Sequence, residues 1–327
     1  MITRRIFLLA IATTGVAAAA AGPAQAQGSY PDKVIKMIVP APAGGQTDVL
    51  ARLLAQKIQQ AVGQNVIIDN RPGAGGALGA RTLAAAEPDG YTLFYGNTST
   101  LAVIPAVSKN PGYDPAKNFA PIASVSDIYT ILVVHPAFPA NTVQELVAYA
   151  KANPGKVTYA STGLGSTNQL GAEFLAAEAG GLKLTHVPYR GGAPAIADVA
   201  AGNVDLFFAN VSEIMGMARG GKVRVLALAS SKPTALAPEL PLLTKDIPAL
   251  DINNWFGLVG PAGLPADIKE SLAKLFLAAM ADPANKETLD KQGLVALGQG
   301  SDAFAAYIKQ DRERWAKVVK QGNIKAE

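Results

Sequence analysis

Two short stretches of this chain have the residue types that bind anions without a cationic side chain. Gly45-Gln46-Thr47-Asp48-Val49-Leu50-Ala51 follows a strand-like run and opens a helical one. About 120 residues later Gly165-Ser166-Thr167-Asn168-Gln169-Leu170-Gly171 does the same, with Gly, Thr, an Asp/Asn and Leu at matching positions. A glycine turn and a capping residue before a helix leave the first-turn N–H groups unpaired. Those donors sit at the positive end of the helix dipole. One such loop is an ordinary helix cap; two, set in two halves of a chain, describe a pincer for a small acid carrying two carboxylates.

Other chemistries find no residues to carry them. The 327 residues include no Cys, which removes disulfides, thiolate metal sites and cysteine nucleophiles. Only His135 and His186 could serve an imidazole metal centre or a general base, and both fit structural or solvent-facing positions better. No metal and no cofactor is expected. No phosphate-loop or nucleophile-elbow motif occurs. Asn70-Arg71-Pro72-Gly73-Ala74-Gly75-Gly76-Ala77-Leu78-Gly79 approaches a dinucleotide fingerprint, but Leu78 stands where the third glycine is required, so a tight turn with close helix packing is the better reading.

The elements that must position the two loops follow from periodicity. Val34–Val39, Asn65–Asp69, Tyr91–Tyr95, Val157–Ala160, Leu184–Val187, Val204–Phe208 and Val223–Ala229 read as strands, separated by stretches of helical spacing such as Leu50, Leu53, Leu54, Ile58 and Ala61. This alternation predicts an α/β protein with parallel sheets. The apolar run Ala123–His135 is too long for one ordinary strand, and Ile252–Val259 follows a Pro-rich stretch. Both are read as crossings between two domains, with a pair of strands as the hinge. One domain then comprises 27–127 and 253–327, and the other 128–252. Phe304, Tyr307, Ile308, Trp315, Val318 and Val319 mark a terminal amphipathic helix packed on a core.

Residues 1–26 carry Arg4 and Arg5, the apolar stretch from Ile6, and Ala24-Gln25-Ala26, the pattern of a secretory signal cleaved near Ala26. The start Thr3-Arg4-Arg5 fits twin-arginine export equally well. The net charge of +4 falls to +2 without the signal, which is no nucleic-acid footprint. No later run approaches the ~18 apolar residues of a membrane span. An exported, periplasmic protein is expected.

Taken in order, YPDKVIKMIVPAPAGGQTDVLAR (30–52), NRPGAGGALGA (70–80), PDGYTLFYGNTSTLAVIP (88–105), YDPAKNFAPI (113–122), YASTGLGSTNQLGAEF (159–174), HVPYRGGAPAIADVAAGNVDLFFAN (186–210), NNWFGLVGPAGLP (253–265) and WAKVVKQGNIKAE (315–327) resemble the Bug family. These are periplasmic solute receptors of tripartite tricarboxylate transporters. The resemblance implies a two-domain periplasmic-binding-protein fold, type II-like, that closes on its ligand as a Venus flytrap. It implies no catalysis, a monomer, and as partners a small carboxylate and the transporter's membrane subunits.

Carried over residue by residue, the family's ligand loops fall on Ala41, Ala43, Gly44, Gly45, Gln46, Thr47 and Asp48 in the first domain. In the second they fall on Ser161, Thr162, Gly163, Ser166, Thr167 and Asn168. Thr98, Ser99, Arg190, Gly191, Ala193 and Asn210 complete the cleft, Arg190 being the one cation considered for it. Ala41 replaces a Phe common in the family and leaves room for a bulkier ligand. Ala209 replaces an Asp that precedes the Asn, which removes a partner for an ammonium group and points to an amine-free dicarboxylate, aromatic or aliphatic. Two other readings stay open: an exported oxidoreductase using the 70–79 turn, and a ligand sensor for a two-component system.

Overall fold

The computed structural model describes residues 30–234, 237–291 and 294–321. The expected signal segment and its cleavage point lie outside them. Ten strands run in chain order as β1 Ile35–Val39, β2 Val66–Asn70, β3 Thr92–Asn97, β4 Phe119–Val134, β5 Thr158–Ser161, β6 Thr185–Pro188, β7 Leu206–Asn210, β8 Arg224–Leu228, β9 Asn253–Pro261 and β10 Leu294–Ala296. They form one continuous path, β2-β1-β3-β9-β4-β7-β5-β6, with β8 and β10 also on β4.

The path divides along β4. From Phe119 to Tyr129 this strand pairs with β9, and Ser126–Ile128 also meets β10. From Thr130 to Val134 it pairs with β7 and β8 instead. A single 16-residue strand therefore belongs to a first lobe at one end and a second lobe at the other. The chain returns beside it: Ile252 N–H donates to Ala229 O, and β9 begins one residue later.

The expected parallel sheets are found in part. β2-β1-β3 are parallel in the first lobe, as are β6-β5-β7 in the second. The strands that join the lobes run the other way: β9 is antiparallel to β3 and β4, and β4 to β7, β8 and β10. The physical reason is connectivity. Strands joined by a helix return parallel, while a strand that leaves one lobe for the other owes its direction to the crossing.

Core packing follows the pleat. In β1, Ile35, Met37 and Val39 face the helix Gln46–Val62 through Leu50, Leu54 and Ile58, and Ile38 faces the opposite layer. In the second lobe Ile131, Val133 and Phe207 pack on Ile196, Val199 and Ile214. A third apolar layer runs through both lobes and includes Phe94, Leu132, Phe208, Trp255, Phe304 and Trp315. The terminal helix Ser301–Gln321 places Phe304, Ile308, Trp315 and Val318 in that layer, the stripe its periodicity predicts.

Candidate functional site

Both glycine-led loops stand at the carboxyl ends of parallel strands, where α/β folds bind ligands. In the first lobe the chain leaves β1, turns through Ala41–Gly45 and enters the helix Gln46–Val62. Gly45 occupies the cap position, and no side chain caps the helix. Asp48 reaches back into the turn. Its Oδ2 accepts from Gly44 N–H (2.9 Å) and Arg52 Nε (2.9 Å), and its Oδ1 from Asn70 Nδ2 (2.9 Å). Burial pushes this carboxyl's pKa up, but the bonds from Arg52, Gly44 and Asn70 outweigh it and hold it below the usual carboxylate range. Asn70 also donates to Ala41 O (3.0 Å), and the Ala41 methyl lies against the first lobe's core. The loop is thus locked from behind. Among the described residues, nothing accepts from the N–H groups of Gln46, Thr47 and Asp48.

In the second lobe β5 leads through Thr162–Gly165 into the helix Thr167–Glu178. Here Ser166 caps, accepting from Gln169 N–H (3.3 Å), while Gln169 Oε1 accepts from Gly165 N–H (2.7 Å). Asn168 is drawn inward: its Nδ2 donates to Phe208 O and its Oδ1 accepts from Thr162 Oγ1 (2.8 Å). Ser161 is buried, with its Oγ 2.6 Å from His186 Nε2, and it accepts from Gly163 N–H. Burial lowers the pKa of that imidazole, which stacks on Tyr159 at 4.8 Å between ring centres. Ser161 and Asn168 therefore spend their polar groups on the lobe itself.

The cleft between the lobes is bridged at several points. Gln46 accepts from Asn210 Nδ2 (2.8 Å) and donates to Ser212 Oγ, joining the first lobe's helix end to the second lobe's β7 and the following helix, Val211–Arg219. Ser99 Oγ accepts from Thr167 N–H (3.1 Å). Gly75, at φ 64°, lies under the carbonyl of Leu164, which a Cβ there would meet at 2.5 Å. A Cβ on Gly165 would strike Ile104 at 2.8 Å. Gly75 of the 73–76 turn is thus a packing surface for the opposite lobe, while Gly76 is held small by Thr100 and Pro40 of its own lobe.

The remaining expected residues divide. Gly191 lies beside Pro42 of the facing loop. Ala43, Gly44 and Ala193 are exposed at the rim. Thr98 is fully buried and its Oγ1 accepts from Trp255 N–H (2.8 Å), so it serves the junction with β9. Arg190 is exposed, with no ion pair or side-chain hydrogen bond in the described structure. Arg52 stands beside the first loop, its Nε 2.9 Å from Asp48 Oδ2. Ser212, Gln169 and Glu213 were not expected at the cleft. Glu213 lies three residues after Asn210 and could have been read as the last member of a capping box. Its carboxyl instead accepts from the Asn210 side chain (3.3 Å) and is raised to about 7, because burial outweighs that bond.

The family described as "Tripartite tricarboxylate transporter family receptor" matches residues 50–324. Protein BugT of Bordetella pertussis is 33% identical over 317 residues, 96% of this chain and 95% of that protein. Among solved structures, R. palustris Rpa4515 with adipate superposes with a TM-score of 0.85 at 31% identity, covering 90% of this chain and 99% of that one. Periplasmic binding protein BugD gives 0.84 at 32% identity, over 91% and 100%. The resemblance to the Bug receptors and the two-domain binding-protein fold both hold. The chain belongs to the tripartite tricarboxylate transporter receptor family.

Proposed function

We propose that this protein is a periplasmic receptor that takes a small carboxylate between its lobes and presents it, as a closed monomer, to the membrane subunits of a tripartite transporter. The observation that carries this reading is the helix end at Gln46–Asp48. Three unpaired N–H groups, held by a loop braced through Asp48, stand where the first lobe faces the second. A carboxylate there gains charge-assisted hydrogen bonds and the favourable end of the dipole. The second carboxylate of a dicarboxylate, aliphatic or aromatic, would reach the second lobe, in keeping with the adipate in the Rpa4515 structure.

The lobes 27–127 with 253–327 and 128–252 would move as two bodies. The hinge lies where β4 changes partners at Tyr129/Thr130 and where the chain returns at Ile252. The contacts of Gln46 with Asn210 and Ser212, and of Ser99 with Thr167, belong to the closed arrangement. A ligand favours closure only by binding that arrangement more tightly than the open one. Micromolar affinity, about −8 kcal/mol, is within reach of a few such bonds plus closure.

The test is thermal unfolding of the chain from residue 27, stripped of ligand, against a panel of mono- and dicarboxylates, amino acids and nicotinamide cofactors. At one hundred times its dissociation constant a ligand stabilises by about 2.7 kcal/mol. The expected result is a rise in midpoint with a few related acids and no product formed. A rise only with a cofactor, or turnover of any acid, contradicts the reading.

A further inference from the structure

Glu213 brings a carboxyl group into the cleft that no Lys or Arg among the described residues answers. It lies in the first turn of the helix Val211–Arg219, and its two oxygens crowd Gly192 at the start of the helix Gly192–Ala201; a Cβ there would stand 3.0 and 3.3 Å from them. Among the described residues no Lys or Arg forms an ion pair with it, and its one hydrogen bond comes from Asn210 Nδ2. A carboxyl withdrawn from water without a positive partner is unfavourable.

Asn210 adds a second acceptor. It holds the cap position of its helix yet does not cap it. Its Nδ2 is turned to Gln46 Oε1 and to Glu213, an orientation that both acceptors require. Its Oδ1 is left buried with no partner. Buried amide oxygens nearly always have a donor. An amide oxygen with no donor and a carboxyl with a single one thus lie side by side at the point where Gln46 joins the lobes. The free donors Gln46–Asp48 are close by on the same bridge, the Gln46 side chain itself meeting Asn210.

Resting on the receptor reading, we propose that Glu213 and Asn210 Oδ1 form the specificity-determining pair of the cleft, and that they accept an ammonium group of the ligand while its carboxylate lies on the first lobe's helix end. This is opposite to the expectation drawn from Ala209. The carboxylate absent at 209 is replaced in function by one three residues after Asn210, on the next helix turn.

The experiment is isothermal titration at pH 8 with matched pairs: succinate against aspartate, and adipate against 2-aminoadipate. The wild-type protein is expected to bind the amino member of at least one pair tenfold or more tighter. In Glu213→Gln, which keeps the shape and an acceptor for Asn210, that preference should fall to threefold or less. Equal or tighter binding of the plain diacids by the wild type overturns the proposal, and so does a preference that survives the substitution. The wild-type ratios decide by themselves if the variant does not fold. Binding of no acid in either series or in the thermal panel would instead overturn the receptor reading on which the pair depends; a panel that binds amine-free acids alone overturns the pair.

Discussion

The two helix ends that meet the opposite lobe look alike in sequence and differ in what they have left to give. At the first, Gly45 provides no side-chain cap and the N–H groups of Gln46, Thr47 and Asp48 have no acceptor among the described residues. At the second, Ser166 caps Gln169, Ser99 from the opposite lobe accepts from Thr167, and only Asn168 N–H lacks an acceptor among the described residues. A shared motif is therefore a poor guide to shared chemistry. The first end keeps its donors open to an external acceptor; the second is closed mostly by the protein's own oxygens, one of which arrives with lobe contact.

The carboxyl groups next to these ends differ in the same way. Asp48 is buried but answered three times, and its pKa lies low; Glu213 is half-buried and answered once, and its pKa rises to about 7. The largest expected effect tests this contrast. Asp48→Ala leaves the Gly44 N–H, the Asn70 amide and Arg52 without their acceptor and should cost about 3 kcal/mol at neutral pH. Because the folded pKa is lowered, that stability is present above the ordinary carboxylate value and is lost as pH falls through the folded value. The gap between variant and wild type should therefore close in acid, as read by denaturant titration.

Glu213→Gln should behave in the opposite sense. A raised folded pKa means the folded state holds a proton that the unfolded chain releases, so the wild type loses stability relative to the variant as pH rises from about 4.5 to about 7. The relative gain of the variant between pH 4 and pH 8 should approach about 3 kcal/mol, from a shift of that size. Unfolding curves that run parallel at the two pH values would remove the contrast.

The two caps can be exchanged with smaller effects. Gly45→Ser gives the first helix a cap of its own, which should raise stability by a few tenths of a kcal/mol. It should also weaken carboxylate binding roughly tenfold, about 1.4 kcal/mol, since one of the open donors is then occupied. Ser166→Ala should do the reverse, lowering stability by about 1 kcal/mol with ligand affinity within about twofold of wild type. Calorimetric titration of both variants with the same acid decides whether the ends are unequal.

The sequence echo itself shows how far the site was legible. It aligns the loops at a spacing of 120, Gly45 on Gly165 and Asp48 on Asn168. The structure aligns them at 121: Gly45 and Ser166 are the caps, Gln46 and Thr167 open the helices, and Asp48 and Gln169 each accept from the glycine N–H four residues back. Strand and helix identity survive a one-residue slip because they depend on periodicity, as with Leu50, Leu54 and Ile58 on one face. Hydrogen-bond roles do not, because each depends on a single atom's direction. The direction of β9 and β4 was hidden for a similar reason: an apolar run shows that a strand is buried, not which way its neighbours point. Glu213 was hidden because its surroundings come from Gly192, 21 positions away, and no local pattern records that approach.

The most direct measurement is a crystal structure of the chain from residue 27 with an acid that binds it. The inequality of the two ends predicts a carboxylate within about 3 Å of the N–H groups of Gln46, Thr47 and Asp48, with Thr167 N–H still donating to Ser99. A carboxylate seated on Thr167 and Asn168 N–H, with Gln46–Asp48 left to water, would contradict it.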